Sequence, residues 1–218
     1  DALSSSDFAL QGKRTGFDAI VLTGVAAEPS VLLLDGERMT LRPAGELWSS
    51  SWNVPRCTAW LDAELPGYAF ATVGPAAHHG VKFACIMNGG RHAGRGGLGL
   101  LLTDKRLKAI GLRGDRVVPL ADEARTVALA KDLARRSLGP ATEKYRELGT
   151  VANLATFNRL ATLPTRNFQA STFEGAEGLS GESLRTTRER GKGACRNCTI
   201  GCEHFFEVRP GEAPQKME

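Results

Sequence analysis

The sequence predicts an α+β chain in which a β-rich half, residues 1–118, is followed by a mainly helical segment, residues 119–218. Three observations lead there. Up to about Gly114, short apolar runs alternate with turns. Beyond Pro119, apolar residues recur at three- and four-residue steps. The 218 residues, 42% hydrophobic and 24% charged, suffice for one large domain or two small ones with a real core.

The strand candidates are DAIVLTG (18–24), SVLLLDG (30–36), YAFATVG (68–74), VKFACIM (81–87), GLGLLL (97–102) and LKAIGLRG (107–114). LLLDGERMTLR reads as a hairpin reversed at Asp35-Gly36. One helix is expected in this half, from about Trp52 to Glu64, with Pro55 restricting where it begins. In the second half, Val127, Ala130, Leu133, Ala134 and Leu138 mark an amphipathic helix that Gly139-Pro140 stops. Two more helices are expected, Thr142 to Leu148 and Thr150 to Leu160, the latter with Thr150 as N-cap. The tail RPGEAPQKME reads as unpacked.

Composition excludes several classes. Aromatics at 6% argue against an aromatic RNA platform, and the hydrophobic content argues against disorder. A net charge of +4 with interspersed acids suits local anion sites better than a nucleic-acid duplex. No apolar run reaches the ~20 residues of a membrane span, and DALSSSDF lacks a leader pattern, so no membrane association is expected. Five cysteines, three of them crowded, do not form a secreted disulfide framework; a reducing cytoplasm fits.

Two stretches carry chemistry. RHAGRGGLGLLL sets guanidinium groups and bare glycine amides before an apolar run, an anion-receptor composition that equally describes a solvated turn or a weak nucleic-acid contact. Cys195, Cys198 and Cys202 have the spacing C-x2-C-x3-C, which suits a soft metal or cluster; Gly201 relaxes the loop, and Lys192 and Arg196 are placed to offset thiolate charge. Zinc usually takes paired ligands in two halves, with His204 as a poorly placed substitute here, so an iron-sulfur cluster is the favoured reading, its fourth ligand coming from another segment or chain. Cys57 and Cys85 read as small buried hydrophobes.

Taken together, GFDAIVLTG, TVGPAAHHGVKFACIMN, RHAGRGGLGLLLTDKRLKAI, LPTRNFQ and CRNCTIGC resemble the tungsten-dependent aldehyde ferredoxin oxidoreductase family in order and spacing. The resemblance runs from about Phe8 to Cys202. It implies a first domain of two β-sheets with pseudo-twofold symmetry, cradling tungsten held by two pyranopterin dithiolenes, and helical domains that close over it. It gives Arg91 to a pterin phosphate and His92 and Gly94 as backbone contacts, with the carbonyl at His92 on a magnesium ion bridging the two phosphates. His92 stands where relatives carry a small residue, and Arg95 is a second arginine of the same loop. In the symmetry-related loop near residues 2–8, Leu3 and Ser5 would supply backbone contacts, without the glycines usual there.

The resemblance makes Cys195, Cys198 and Cys202 three ligands of a [4Fe-4S] cluster. The family's upstream strands and first-loop arginine have no counterpart here, so the first domain is expected to be N-terminally truncated. Its fourth cysteine, later pterin motifs and acid/base residues also lack counterparts, and no catalytic residue is assigned. The implied activity interconverts aldehyde and carboxylic acid at a tungsten bis-pterin centre, with electrons passed through the cluster to ferredoxin or an equivalent carrier. The alternative is a non-catalytic fragment or split subunit that binds a cluster and needs a partner polypeptide. A basic zinc or nucleic-acid module is a third reading, against which the lack of interleaved aromatics counts.

Overall fold

The computed structural model describes residues 1–49, 51–209, 211 and 213, and the backbone of 215–217. The chain divides into two compact units, Asp1–Pro119 and Leu120–Glu218.

The first unit is built on a six-stranded sheet of order β2-β1-β6-β3-β4-β5. Its strands are β1 (Ser30–Asp35), β2 (Arg38–Pro43), β3 (Ala69–Val73), β4 (Ile86–Asn88), β5 (Arg91–Ala93) and β6 (Leu107–Arg113). Val31 to Leu34 are all buried, so β1 reads as an unbroken apolar run, the signature of a strand covered on both faces. β1 and β2 form the expected hairpin, but Asp35 pairs with Arg38, placing the turn one residue later at Gly36-Glu37. On one face Val31, Leu33, Phe70 and Ala109 pack against Cys57 and Leu61 of helix α2 (Val54–Glu64). Asn53 caps that helix by accepting the Arg56 amide at 3.0 Å, and Pro55 sits in its first turn, where a missing N–H costs nothing. On the other face Leu32, Val73 and Leu107 meet Ala77 of α3 (Pro75–His78), Ala84 and Leu102.

Several expectations change here. GLGLLL is not a strand: Leu98–Asp104 is helix α4, entered through Gly97 at φ 71°. Periodicity alone does not separate a short apolar helix from a buried strand. Gly99 decides it, because a Cβ there would lie 2.7 Å from the Ala84 and Cys85 carbonyl oxygens, so the helix seats directly on that backbone. DAIVLTG forms no strand either: Asp18 to Val21 are exposed rather than packed in a ladder, and Lys105 Nζ donates to the Gly24 carbonyl at 3.1 Å. VKFACIM contributes only Ile86 and Met87 to β4. With 18–24 irregular, the described residues of this unit form one sheet where the resemblance implies two. An unexpected helix, α1 (Asp7–Arg14), starts at Ser6, whose hydroxyl accepts the Phe8 amide at 3.1 Å.

The second unit holds α5 (Glu123–Ser137), capped by Asp122, and α6 (Pro140–Leu148). The helix expected from Thr150 divides into a 3-10 turn, Thr150–Asn153, and α7 (Leu154–Arg159); Gly149, not Thr150, is the cap residue, and the Ala152 amide that a Thr150 hydroxyl would accept donates to the Gly149 carbonyl at 3.2 Å. After α8 (Gly181–Thr187) come β7 (Glu189–Gly193), β8 (Glu203–Phe206) and β9 (Gln215–Met217), an antiparallel sheet of order β7-β8-β9. The segment is mainly helical as expected, and this small sheet is an addition that the sequence reading lacks. Its strands are short and mostly polar, and among the described residues the buried positions are His204 and Phe206 of β8. β9 also corrects the unpacked tail, of which Pro210, Glu212, Pro214 and Glu218 lie outside the described residues.

Candidate functional site

The arginine loop is a hairpin followed by a glycine-built approach. β4 and β5 pair antiparallel, Asn88 with Arg91 and Met87 with His92, across a Gly89-Gly90 turn at φ 52° and 73°. Two consecutive positive φ values define a type I′ reversal, which glycine adopts without steric cost. β5 is the sheet edge, so Arg91, half-buried, and His92, exposed, stand at the rim. A Cβ at Gly94 would lie 2.9 Å from the Cys85 sulfur, and one at Gly97 2.6 Å from the Lys82 carbonyl oxygen. These two glycines thus let the loop pack on its own chain. Arg95 is exposed.

Leu3, 94% exposed, and Ser5, also exposed, belong to the segment before α1. The structure lays that segment against the Arg91 hairpin. The Ser4 hydroxyl lies 3.3 Å from Asn88 Oδ1 and accepts from Asn88 Nδ2 at 3.1 Å. A Cβ at Gly89 would stand 3.2 Å from the Ser6 Cβ. Asn88, Ser4 and Ser6, which join the two expected cofactor loops, are absent from the sequence reading. The only signals were a cap-rich SSSD and an asparagine before Gly-Gly.

The three cysteines lie on the connection between β7 and β8, closed by the pairing of Gly193 with Glu203. The Cys198 amide donates to the Cys195 carbonyl at 2.9 Å, and Asn197 (φ 59°) and Gly201 (φ 66°) turn the loop. All three thiols are half-buried. Among the described residues no three Cys, His, Asp or Glu side chains are gathered as an ion site. The donor set itself, three thiols on one nine-residue hairpin loop, suits iron or another soft metal. His204 is 1% exposed; its Nδ1 lies 2.9 Å from Glu189 Oε2, and its Nε2 is buried without a hydrogen-bond partner. Lys192, expected near the thiolates, instead donates to the Arg146 carbonyl at 3.2 Å and lies 3.8 Å from Glu147. Arg166 of LPTRNFQ pairs with Glu174, and Arg166, Asn167 and Phe168 all have positive φ.

A third polar group lies inside the first unit. Between the pairs Ser30–Leu107 and Val31–Ala109 the β1–β6 register slips by one, leaving Lys108 as the extra residue of a bulge. Its side chain is fully buried, and Nζ lies 3.1 Å from His78 Nε2, whose ring meets Trp48 edge-on at 4.6 Å. Burial holds Lys108 below the usual lysine range, and burial with the Lys108 and His79 charges holds His78 low. Burial raises the Cys57 thiol, while Lys108 opposes that rise.

The two units define an α+β chain that carries a glycine-reversed arginine hairpin in the first and a cysteine-bearing hairpin loop in the second. The aldehyde ferredoxin oxidoreductase N-terminal domain model matches residues 1–114, and the model of domains 2 and 3 of the same enzyme matches residues 128–218. The chain belongs to the aldehyde ferredoxin oxidoreductase family. It is 31% identical over 207 residues to the tungsten-containing aldehyde ferredoxin oxidoreductase of Pyrococcus furiosus, covering 92% of this chain and 34% of the relative. The enzyme of the same name from Thermococcus kodakarensis is 32% identical at the same coverage. The WOR-like subunit of an aliphatic sulfonate oxidoreductase from Pyrococcus furiosus is 26% identical over 222 residues, covering 95% of this chain and 35% of its own. The chain therefore spans about a third of the length of these relatives. Its fold matches a chain of the active-site complex BamBC of benzoyl coenzyme A reductase, solved with 1,5-dienoyl-CoA, at a TM-score of 0.72 and 21% identity, over 100% of this chain and 35% of that one. Among the described residues no helix is long and apolar enough to cross a membrane.

Proposed function

We propose that this chain is the cofactor-binding portion of an oxidoreductase that interconverts aldehydes and carboxylic acids, working in the cytoplasm. The observation that carries the reading is the Arg91 hairpin: a glycine-reversed edge strand with an arginine at the rim, in a chain matched by both models of the family. Arg91 would hold a pterin phosphate through its planar fork. The backbone at His92 and Gly94, and at Leu3 and Ser5 on the facing segment, would hold the two pterins and the magnesium between their phosphates. Cys195, Cys198 and Cys202 would hold three corners of a [4Fe-4S] cluster. When bound, the tungsten bis-pterin group supplies the two-electron chemistry at the substrate carbon and the cluster supplies one-electron transfer toward ferredoxin or an equivalent carrier.

A partner polypeptide supplying further ligands is the second reading. The loop itself carries three cysteines where a [4Fe-4S] cluster takes four ligands, which favours it, and the BamBC neighbour is itself a complex. Tungsten, iron and zinc per chain, measured after reconstitution with pterin cofactor and iron-sulfur, test both. Tungsten with about four irons supports the enzyme reading, iron alone supports the cluster-binding subunit, and zinc alone contradicts both.

A further inference from the structure

We propose that Asn88 is a positioning residue that clasps the two cofactor loops together; this rests on the assignment of those loops under the proposed function. Asn88 is the last residue of β4 and is 6% exposed, although it adjoins a solvent-edge turn of two glycines. Its backbone is paired with Arg91, and directly opposed residues of a ladder project from the same face, so the carboxamide and the guanidinium start side by side. Its side chain reaches the other way along the chain, 84 residues back, to Ser4, where both ends of the carboxamide meet one hydroxyl at 3.1 and 3.3 Å. Ser4 lies between Leu3 and Ser5, the two residues whose backbone faces the other pterin in the proposed assignment.

The chemistry of the group suits the place. A carboxamide donates and accepts at once, so it fixes the hydroxyl rotor that a lone acceptor would leave free. It is also neutral, and brings no negative charge beside phosphates. Gly89 completes the junction, because any Cβ there would press on Ser6, which in turn caps α1. Two loops that would grip two parts of one cofactor must keep a fixed separation, and a misplacement of ~1 Å loses the benefit of preorganisation. The Asn88–Ser4 contact is a side-chain tie between them.

Asn88→Ala, Ser4→Ala and the double variant are compared with wild type and Arg91→Lys by two measurements. In the cofactor-free chain, amide hydrogen exchange at residues 2–6 is expected to quicken about tenfold in all three clasp variants, as loss of one ordinary hydrogen bond gives, while β4–β5 exchange is unchanged. In protein loaded with pterin cofactor, retained pterin is expected to fall about fivefold in each single variant and no further in the double. Ser4→Ala, on the half-exposed terminal segment, keeps the test informative if Asn88→Ala folds poorly. Multiplying effects in the double variant, or fast exchange without pterin loss, overturn the clasp. Loss in Arg91→Lys with full retention in both clasp variants removes the clasp and leaves the loop assignment standing, whereas full retention in Arg91→Lys removes the assignment itself.

Discussion

Replacing Lys108 by Met is expected to stabilise the first unit, and to do so by an amount that shrinks as pH rises. Lys108 is fully buried in the β6 bulge, with His78 Nε2 at 3.1 Å and the Cys57 thiol in the same core. A buried charge replaced by an apolar side chain of similar length typically gains about 1–4 kcal/mol. Against this, the His78 nitrogen loses its donor, a loss of about 1–3 kcal/mol. The net expectation is a gain of about 1 kcal/mol at pH 7, or about 4 °C in the melting temperature for a unit of this size.

The pH dependence follows from the direction of the shifts. Lys108 and His78 are both held below their usual values, so the unfolded chain binds more protons than the folded one, and stability rises with pH. For His78 that rise runs up to about 6.5, and for Lys108 up to about 10.5. The penalty on Lys108 thus fades toward pH 10, and wild type approaches the Met variant there. Urea melts followed by tryptophan fluorescence report on this unit alone, because all three tryptophans, Trp48, Trp52 and Trp60, lie in it. A stability difference that is constant from pH 7 to 10, or a variant destabilised by more than about 2 kcal/mol, would refute the reasoning.

Cys195→Ser, Cys198→Ser and Cys202→Ser should each remove the broad visible absorption of a reconstituted cluster, because a serine oxygen is a poor iron ligand, while Cys57→Ser and Cys85→Ser should keep it. Iron retained in one of the first three and lost from either of the last two would show the ligand set to be wrong. Gly99→Ala should cost about 2–3 kcal/mol in urea melts, since its Cβ would lie 2.7 Å from two carbonyl oxygens, whereas Gly96→Ala, with open space around it but φ 82°, should cost about 1 kcal/mol. Equal costs would mean that α4 does not seat on the 84–85 backbone.

What was legible in the sequence followed burial and turn chemistry. β1 and the α2 helix were visible because SVLLLD is buried along nearly its whole length and Asn53-Val54-Pro55 is a cap followed by a first-turn proline. GLGLLL failed as a strand because six apolar residues carry no period, and the deciding fact, the seat of Gly99 on two carbonyls, is tertiary. The three strands after α8 were hidden because ERGKG is polar with no buried residue, EHFF is only four residues long, and their pairing rests on backbone hydrogen bonds. At the site, the chemistry-bearing residues Arg91 and the three cysteines stand out by type and spacing. The residues that set their surroundings did not: Asn88 meets Ser4 across 84 positions, and Lys108 reads as an exposed strand residue until a one-residue bulge turns it inward.

The central claim, that the Arg91 hairpin holds a pterin phosphate, is tested most directly by tungsten and pterin per chain in wild type, Arg91→Lys and Arg95→Lys, each loaded with cofactor under identical conditions. Lysine keeps the charge and loses the bidentate fork, which is worth about 1.5–3 kcal/mol when sheltered, so Arg91→Lys should lose roughly tenfold or more of its cofactor while Arg95→Lys matches wild type. Equal retention in all three proteins, or a loss confined to Arg95→Lys, would contradict it.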